Sequence, residues 1–369
     1  MLMTADTLGG VWTYALELSR ALAPHGVSVT LATLGAPLTE AQWAEVRAIP
    51  SLSVEQSTWR PEWMEDPWED VKAAGDWLLE LESRIQPDVV HLNDYSHGAL
   101  PWKRKPLVVG HACVLSWWEA VKGEPAPERH ARYRWEVTRG LRAAGLVVTP
   151  SAFMREALRQ HYGSLPSIRV IPHGRRPEDF PPGPVREPFI LTAGRLWDEA
   201  KNVSALEAVA PRLDWPVLVT GESQHPLGGE VRLRCVRYLG NLPPRELAAH
   251  MGRASIYALP ARYEPFGLSA LEAALAGCAL VLGDIPSLRE VWEDAAVFVP
   301  PDDTDMLRRA LRRLVTEPVL CNRMSTLART RALEFSPERM GDAYLAAYLS
   351  LDRASSETPA APPPPAKVP

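Results

Sequence analysis

Two alternating series of strand and helix patterns, split by a proline-rich stretch, constrain this 369-residue chain more than any other feature. In the first series the short apolar runs LMTA, VSVTLAT, VVHLN, PLVVGHA, LVVTP and IRVIP read as strands. Helical spacing recurs between them near 12–23, 70–85, 127–144 and 152–162. In the second, FILTAG, PVLVTG, VRYLG, SIYALP, ALVLG and AVFVP alternate with helical spacing near 201–210, 244–251, 267–277 and 304–315. Such alternation predicts parallel sheets covered on both faces by helices. Between the series, Pro172 to Pro188 holds six prolines and little periodicity, the composition of a linker. The expected architecture is α/β: two tandem Rossmann-like doubly wound domains, 1–172 and 189–336, joined by 173–188 and facing a central cleft. Residues 318–333 and 337–352 have helical spacing. The proline-rich tail 353–369 has too little apolar surface to fold and is expected to be disordered.

Composition excludes several classes. A chain of this length is too long for one typical core, and 46% hydrophobic with 23% charged residues is ordinary for a globular protein. The formal charge of −5 gives no support to a nucleic-acid partner. Cys113, Cys235, Cys278 and Cys321 lack metal-ligand spacing and read as reduced and mostly buried. No run approaches the ~18 apolar residues of a membrane span. MLMTADTLGG has no basic region of a secretory leader, so the cytoplasm is the expected location. Ten of the thirteen tryptophans precede residue 136. Trp59, Trp63, Trp68 and Trp77 either line an acceptor groove, rest weakly on a membrane surface, or cover a loop-rich edge of the domain, the favoured reading. Lys103-Arg104-Lys105 reads as a solvated turn.

Chemistry concentrates in ARYEPFGLSALEAALAG, where Glu264 and Glu272 flank Pro265-Phe266-Gly267. A helix starting near Gly267 aims unpaired N–H groups and a positive dipole end at the loop, a ready anion site. Glu264 then stands at its mouth and Glu272 on its first turns, a layout suited to a sugar joined to a nucleotide diphosphate. Two solvated glutamates on an amphipathic helix are the plainer alternative. Gly9-Gly10, after the first strand, lets a backbone approach a ligand, although a tight turn needs it equally. It is not the G-x-G-x-x-G fingerprint, so a nicotinamide cofactor gains little. Arg195 ends a strand and Lys201 starts the next helix, so that two cations at the sheet's carboxyl edge can take a diphosphate, or are merely surface cations near a loop. His111 ends another strand, as do His91, Asn93 and Asp94, which either contact an acceptor or cap a loop. Tyr238-Leu239-Gly240 offers apolar atoms beside a flexible glycine, fit to pack a nucleobase.

These segments, together with LGGVWTYALELSRAL, VVGHACVLSWW, VVTPSAFMREAL, IRVIPHG, FILTAGRLWDEAKN and VRYLGNLPPRELAAHM, resemble in type and order the family 4 retaining glycosyltransferases (glycosyl transferases group 1) of GT-B fold. The resemblance implies transfer of a hexose from a nucleoside diphosphate donor to a saccharide, lipid-linked or small-molecule hydroxyl, in glycan or polysaccharide biosynthesis. It implies Glu264, His111, Arg195 and Lys201 at the reacting centre, with Arg195 and Lys201 on the diphosphate. Gly9, Gly10, Tyr238, Leu239, Gly240, Phe266, Gly267, Leu268 and Glu272 complete the implied donor site, with Glu272 on the ribose. Ala112 replaces the Asp that usually follows the His, and His173-Gly174 stands where the family commonly has an Asn-Gly hinge. Neither a metal nor a cofactor is expected beyond the donor. A catalytically idle sugar-nucleotide-binding scaffold and a nucleotide-sugar epimerase are the alternatives, and oligomeric state is unread.

Overall fold

A computed structural model describes residues 1–225 and 228–356. The expected disorder of 353–369 falls outside the described residues from 357 onward, while the backbone of 353–356 continues the last helix, Pro337–Ser356.

The first sheet contains β1 (Leu2–Asp6), β2 (Val29–Leu34), β3 (Leu52–Gln56), β4 (Val90–Leu92), β5 (Leu107–Val109), β6 (Leu146–Thr149) and β7 (Ile168–Val170). The second contains β8 (Glu187–Ala193), β9 (Val217–Thr220), β10 (Arg237–Tyr238), β11 (Ala254–Leu259), β12 (Ala279–Gly283) and β13 (Val297–Val299). Every pairing between these strands is parallel. The strand orders are β3-β2-β1-β4-β5-β6-β7 and β10-β9-β8-β11-β12-β13. Both are the doubly wound arrangement that the alternating pattern predicts. Central strands such as β12 are buried along their whole length, as a sheet covered on both faces requires.

Sheet order fixes where a ligand can sit. Each chain path runs outward from one strand and then reverses, between β1 and β4 in the first sheet and between β8 and β11 in the second. At such a switch point the loops leave in opposite directions and open a crevice beyond the carboxyl ends of the strands.

Four elements went unread in the sequence. The edge strand β3 (LSVEQ) alternates Leu52 and Val54 with polar residues, so it lacks an apolar run. The helix Glu40–Arg47 is short and largely exposed and is started by a capping box between Thr39 and Gln42. Val114–Lys122 is capped by Cys113, and Pro286–Trp292 starts on proline. The second sheet also begins at Glu187, inside the stretch read as linker. Three cysteines are buried, but Cys235 is exposed.

The last helix returns to the first domain. Met340, Tyr344, Ala347 and Tyr348 join the core formed by Trp12, Tyr14 and Leu18 of the helix Gly10–Leu22. No described helix is long and apolar enough to cross a membrane.

Candidate active site

The two switch points face each other. At the end of β1, Gly9 adopts φ +74 and opens the helix Gly10–Leu22. A methyl group on Gly9 would lie 3.8 Å from Arg195 Nη1, and one on Gly10 would lie 3.3 Å from Leu268 Cδ1. Gly9 is thus required by its positive φ, while the missing side chain at Gly10 eases the approach of Leu268 from the second domain to the helix start. On the opposite side, Gly194, Gly221 and Gly240 end β8, β9 and β10 at φ +151, +129 and +79. A Cβ on Gly221 would meet the Gly194 carbonyl oxygen at 1.9 Å, so the two strand ends can be this close only without side chains.

Charged groups gather at the edge of the second sheet. Lys201 Nζ pairs with Glu264 Oε2. Glu264 Oε1 accepts the Gly267 N–H at 3.1 Å, and its backbone carbonyl accepts the Ser287 hydroxyl at 2.6 Å. Thus one amide expected to be open to an anion is already engaged. Gly267 holds φ +92, and the amides of Leu268 onward begin the helix Leu268–Leu275 without intrahelical acceptors. Arg195 Nη2 donates to Asp198 Oδ2 at 2.9 Å. The other Asp198 oxygen accepts the Ala200 N–H at 3.0 Å and, from the first domain, the Trp117 indole N–H at 2.9 Å. Burial opposes ionisation of Asp198, but Arg195 and Lys201 override it and hold the carboxyl below its usual range. The sequence reading gave Asp198 and Trp117 no role; the only local signal was an Asp positioned to cap the EAK turn.

Glu272 is not an open carboxylate. Its Oε1 takes Arg175 Nε at 2.9 Å, and Arg175 Nη1 reaches Glu17 Oε2 at 2.6 Å. Arg175 belongs to the linker and Glu17 to the first helix, so the three side chains tie both domains together. Burial raises the pKa of Glu272 and Glu17, with Arg175 opposing it at each.

His111 is neutral, its pKa driven well below the usual value by burial and then by His173 and His91. Asn93 Nδ2 donates to the Thr4 carbonyl at 2.7 Å, so Asn93 Oδ1 faces the rings and accepts His111 Nε2–H at 2.8 Å. Nδ1 of His111 is left as the acceptor nitrogen. Tyr14 and His173 pack on the ring at centroid distances of 4.6 and 5.3 Å. Asn93 is thereby an orienting residue. His91 is fully buried between Tyr14 and the Tyr348 hydroxyl, 2.7 Å from Nδ1. Asp94 pairs with His97 at 2.6 Å and accepts from Thr4 at 2.7 Å. These two belong to the scaffold, not to an acceptor surface.

The remaining expected donor residues divide. Tyr238 leaves its ring 41% exposed and donates its hydroxyl to the Gly221 carbonyl at 2.9 Å, beside Gly240 at the mouth. Leu239 packs partly into the core. The Phe266 ring is 3% exposed and lies between His173 and Phe335, so it cannot offer a face to a ligand. Among the described residues no group of three or more His, Cys, Asp or Glu gathers as metal ligands. The D-x-D triplet Asp303-Thr304-Asp305, overlooked in the sequence, starts the helix Thr304–Thr316, with Asp303 accepting the Met306 N–H at 2.7 Å.

Comparison with known proteins identifies the family. Residues 8–179 match the family model described as Glycosyltransferase Family 4, and residues 176–331 match Glycosyl transferases group 1. A glycogen synthase from Mycobacterium tuberculosis is 32% identical over 309 residues, covering 74% of this chain and 72% of that one. A D-inositol 3-phosphate glycosyltransferase from Geodermatophilus obscurus is 28% identical, with 93% and 85% covered. In fold, the chain is similar to a sucrose-phosphate synthase from Thermosynechococcus elongatus, with TM-score 0.82, 20% identity and coverage of 96% and 99%. It is also similar to Anabaena HepE solved with UDP-glucose, with TM-score 0.74, 16% identity and coverage of 95% and 99%. With family models matched over both halves and two facing parallel sheets of GT-B form, the chain belongs to the family 4, group 1 glycosyltransferases.

Proposed function

We propose that the enzyme transfers a hexosyl group from a nucleoside diphosphate donor to an acceptor hydroxyl with retention of anomeric configuration, without a divalent metal or further cofactor. The observation that carries this reading is the cluster of Lys201, Glu264 and Gly267 beside Arg195, directly across from Gly9 and Gly10. In the reaction the bond from the anomeric carbon to phosphate breaks, a bond to the acceptor oxygen forms, and the acceptor's proton ends on the departing diphosphate side. Negative charge gathers on that leaving group. Arg195, Lys201 and the amides near Gly10 and Leu268 stabilise it, which is the dominant catalytic contribution for such a group.

Glu264, fixed by the Gly267 N–H, holds sugar hydroxyls near the anomeric carbon when Lys201 turns to the phosphates. His111 accepts a sugar hydroxyl at Nδ1 with its neutral ring. Glu272 keeps one oxygen on Arg175 and offers the other to the ribose, while the Tyr238 ring packs the base. The relative named a glycogen synthase and the neighbour solved with UDP-glucose make glucosyl donors the first to try. A cytoplasmic role in polysaccharide synthesis accompanies this reading.

The test is release of nucleoside diphosphate from UDP-, ADP- and GDP-hexoses, with loss of release in Lys201→Ala and Glu264→Ala. A wild-type protein that binds a donor yet turns none over with any acceptor would instead be an idle scaffold.

A further inference from the structure

Asp6 is the last residue of β1, at the first domain's switch point, and no role in transfer has been given to it above. Its Oδ1 accepts the Leu8 N–H at 2.9 Å and its Oδ2 accepts the Trp63 indole N–H at 2.8 Å. The cations of the cleft are paired elsewhere, Arg195 with Asp198 and Lys201 with Glu264. Burial raises the Asp6 pKa, and the two N–H donors and Arg195 pull it back. Each carboxylate oxygen has two lone-pair sites, so one on each remains for a hydroxyl donor.

The wall beside Asp6 is built before any ligand arrives. The loop carrying Trp63 is pinned by Ser57 Oγ to the Thr33 carbonyl at 2.7 Å and by the Gly35 N–H to the Trp59 carbonyl at 2.8 Å. Glu62, next to Trp63, accepts the Tyr95 and Ser96 N–H groups at 2.9 and 2.7 Å. Residues 57–67 contain three acidic side chains against one basic, Arg60. That arginine turns to Asp70 at 2.6 Å and to the Glu65 carbonyl at 3.2 Å.

We propose that Asp6 and Trp63 form the acceptor subsite, and that it takes the hydroxyls of an uncharged saccharide end rather than a phosphorylated polyol. This rests on the transfer reading above and specifies its acceptor. A carboxylate with two open lone-pair sites suits a pair of neighbouring hydroxyls, and an indole beside it offers an apolar flank to a sugar ring. A phosphate group at the same place meets a like charge, which costs affinity. The named relatives divide on this point: one is a glycogen synthase, another a D-inositol 3-phosphate glycosyltransferase.

The experiment measures nucleoside diphosphate release by the full-length enzyme, first without acceptor and then with maltoheptaose, mannobiose, inositol 3-phosphate or fructose 6-phosphate. Neutral saccharides are expected to accelerate release more than the phosphorylated compounds. Loss of a hydrogen-bonded charge at Asp6→Asn is expected to raise the neutral-acceptor KM about tenfold, and to alter acceptor-free release by a smaller factor. Trp63→Phe, which keeps a ring and loses the N–H, is expected to raise the same KM less. Faster release with a phosphorylated acceptor overturns the proposal, as does a wild-type acceptor KM in folded Asp6→Asn. If that variant does not fold, a wild-type KM in Trp63→Phe has the same force. Acceptor-free release with no response to any neutral saccharide removes the acceptor assignment while leaving donor turnover intact. No release from any donor removes the transfer reading itself.

Discussion

Lys201 and Glu264, 63 positions apart in sequence, form an ion pair at the carboxyl edge of the second sheet. Their side chains are 17% and 12% exposed, so the pair is shielded but still reachable from the cleft. In the transfer proposed above, a donor diphosphate entering the cleft competes with Glu264 for the ammonium. The same lysine can therefore neutralise the resting site and the leaving group in turn. Lys201→Ala is expected to lower kcat by about 10²–10³, the cost of removing one such stabilising donor. Lys201→Arg should recover only part of it, because a planar fork does not replace a point charge. Steady-state kinetics with the best donor checks both.

Arg175 carries a second prediction, on stability. It stands between Glu17, whose side chain is fully buried, and Glu272, 12% exposed. Arg175→Met leaves Glu272 without its cation and Glu17 with only Arg176, 3.3 Å from its other oxygen, and breaking such a buried pair costs about 3–5 kcal/mol. The denaturation midpoint should fall accordingly. Adding Glu272→Gln to Arg175→Met should restore part of the loss, since the orphaned charge is then absent. An unchanged midpoint in the single variant would show that the triad contributes nothing to joining the domains.

A pH dependence follows from the scaffold around Asp94, His97 and Glu62. Burial disfavours the charged His97 ring, but Asp94 overrides it at 2.6 Å, raising the His97 pKa to about 9. A base with a raised folded pKa gives stability that is complete below its unfolded value of 6.5 and lost as pH rises through 9. The contribution is at most about 3 kcal/mol. Burial and then Asp94 also raise the pKa of Glu62, and a raised acid likewise loses its contribution on the alkaline side. The melting temperature is therefore expected to decline from pH 6.5 to 9.5. His97→Gln should lower it at pH 6 and flatten the slope above.

The fold was legible because its signal is redundant: eleven of the strands were read as short apolar runs bounded by turns, and β10 from the apolar pattern around Tyr238. Only β3 was missed, being an edge strand whose apolar face is just Leu52 and Val54 set between polar residues. At the site, a motif fixes residue type but not what the residue touches. Glu272 reads as free in sequence because its partner, Arg175, is 97 positions away in the linker. Phe266 sits among donor residues in sequence, yet helix packing turns its ring into the core. Asp6 and Trp63 carry no recognisable spacing, and only the folded loop brings them within hydrogen-bonding distance.

Trp117 supplies the last prediction. Its indole N–H, on the first domain, donates to Asp198, which in turn holds Arg195 on the second. Lys122 and Glu199 form a neighbouring link across the same seam at 2.7 Å. Closing the cleft and aiming Arg195 are thus coupled through one carboxylate. Trp117→Phe keeps an aromatic ring but removes the donor to a charged acceptor, a bond worth about 1.5–3 kcal/mol. The donor kcat/KM should fall by about tenfold or more, and small-angle scattering should show a larger radius of gyration in the donor-free protein. Trp118→Phe is the matched control, since the Trp118 indole N–H has no hydrogen-bond partner among the described residues. It should change kcat/KM by no more than about twofold, as expected for a substitution away from a satisfied polar network. Equal effects of the two substitutions would mean that ring packing, not the Asp198 bond, sets the closed state.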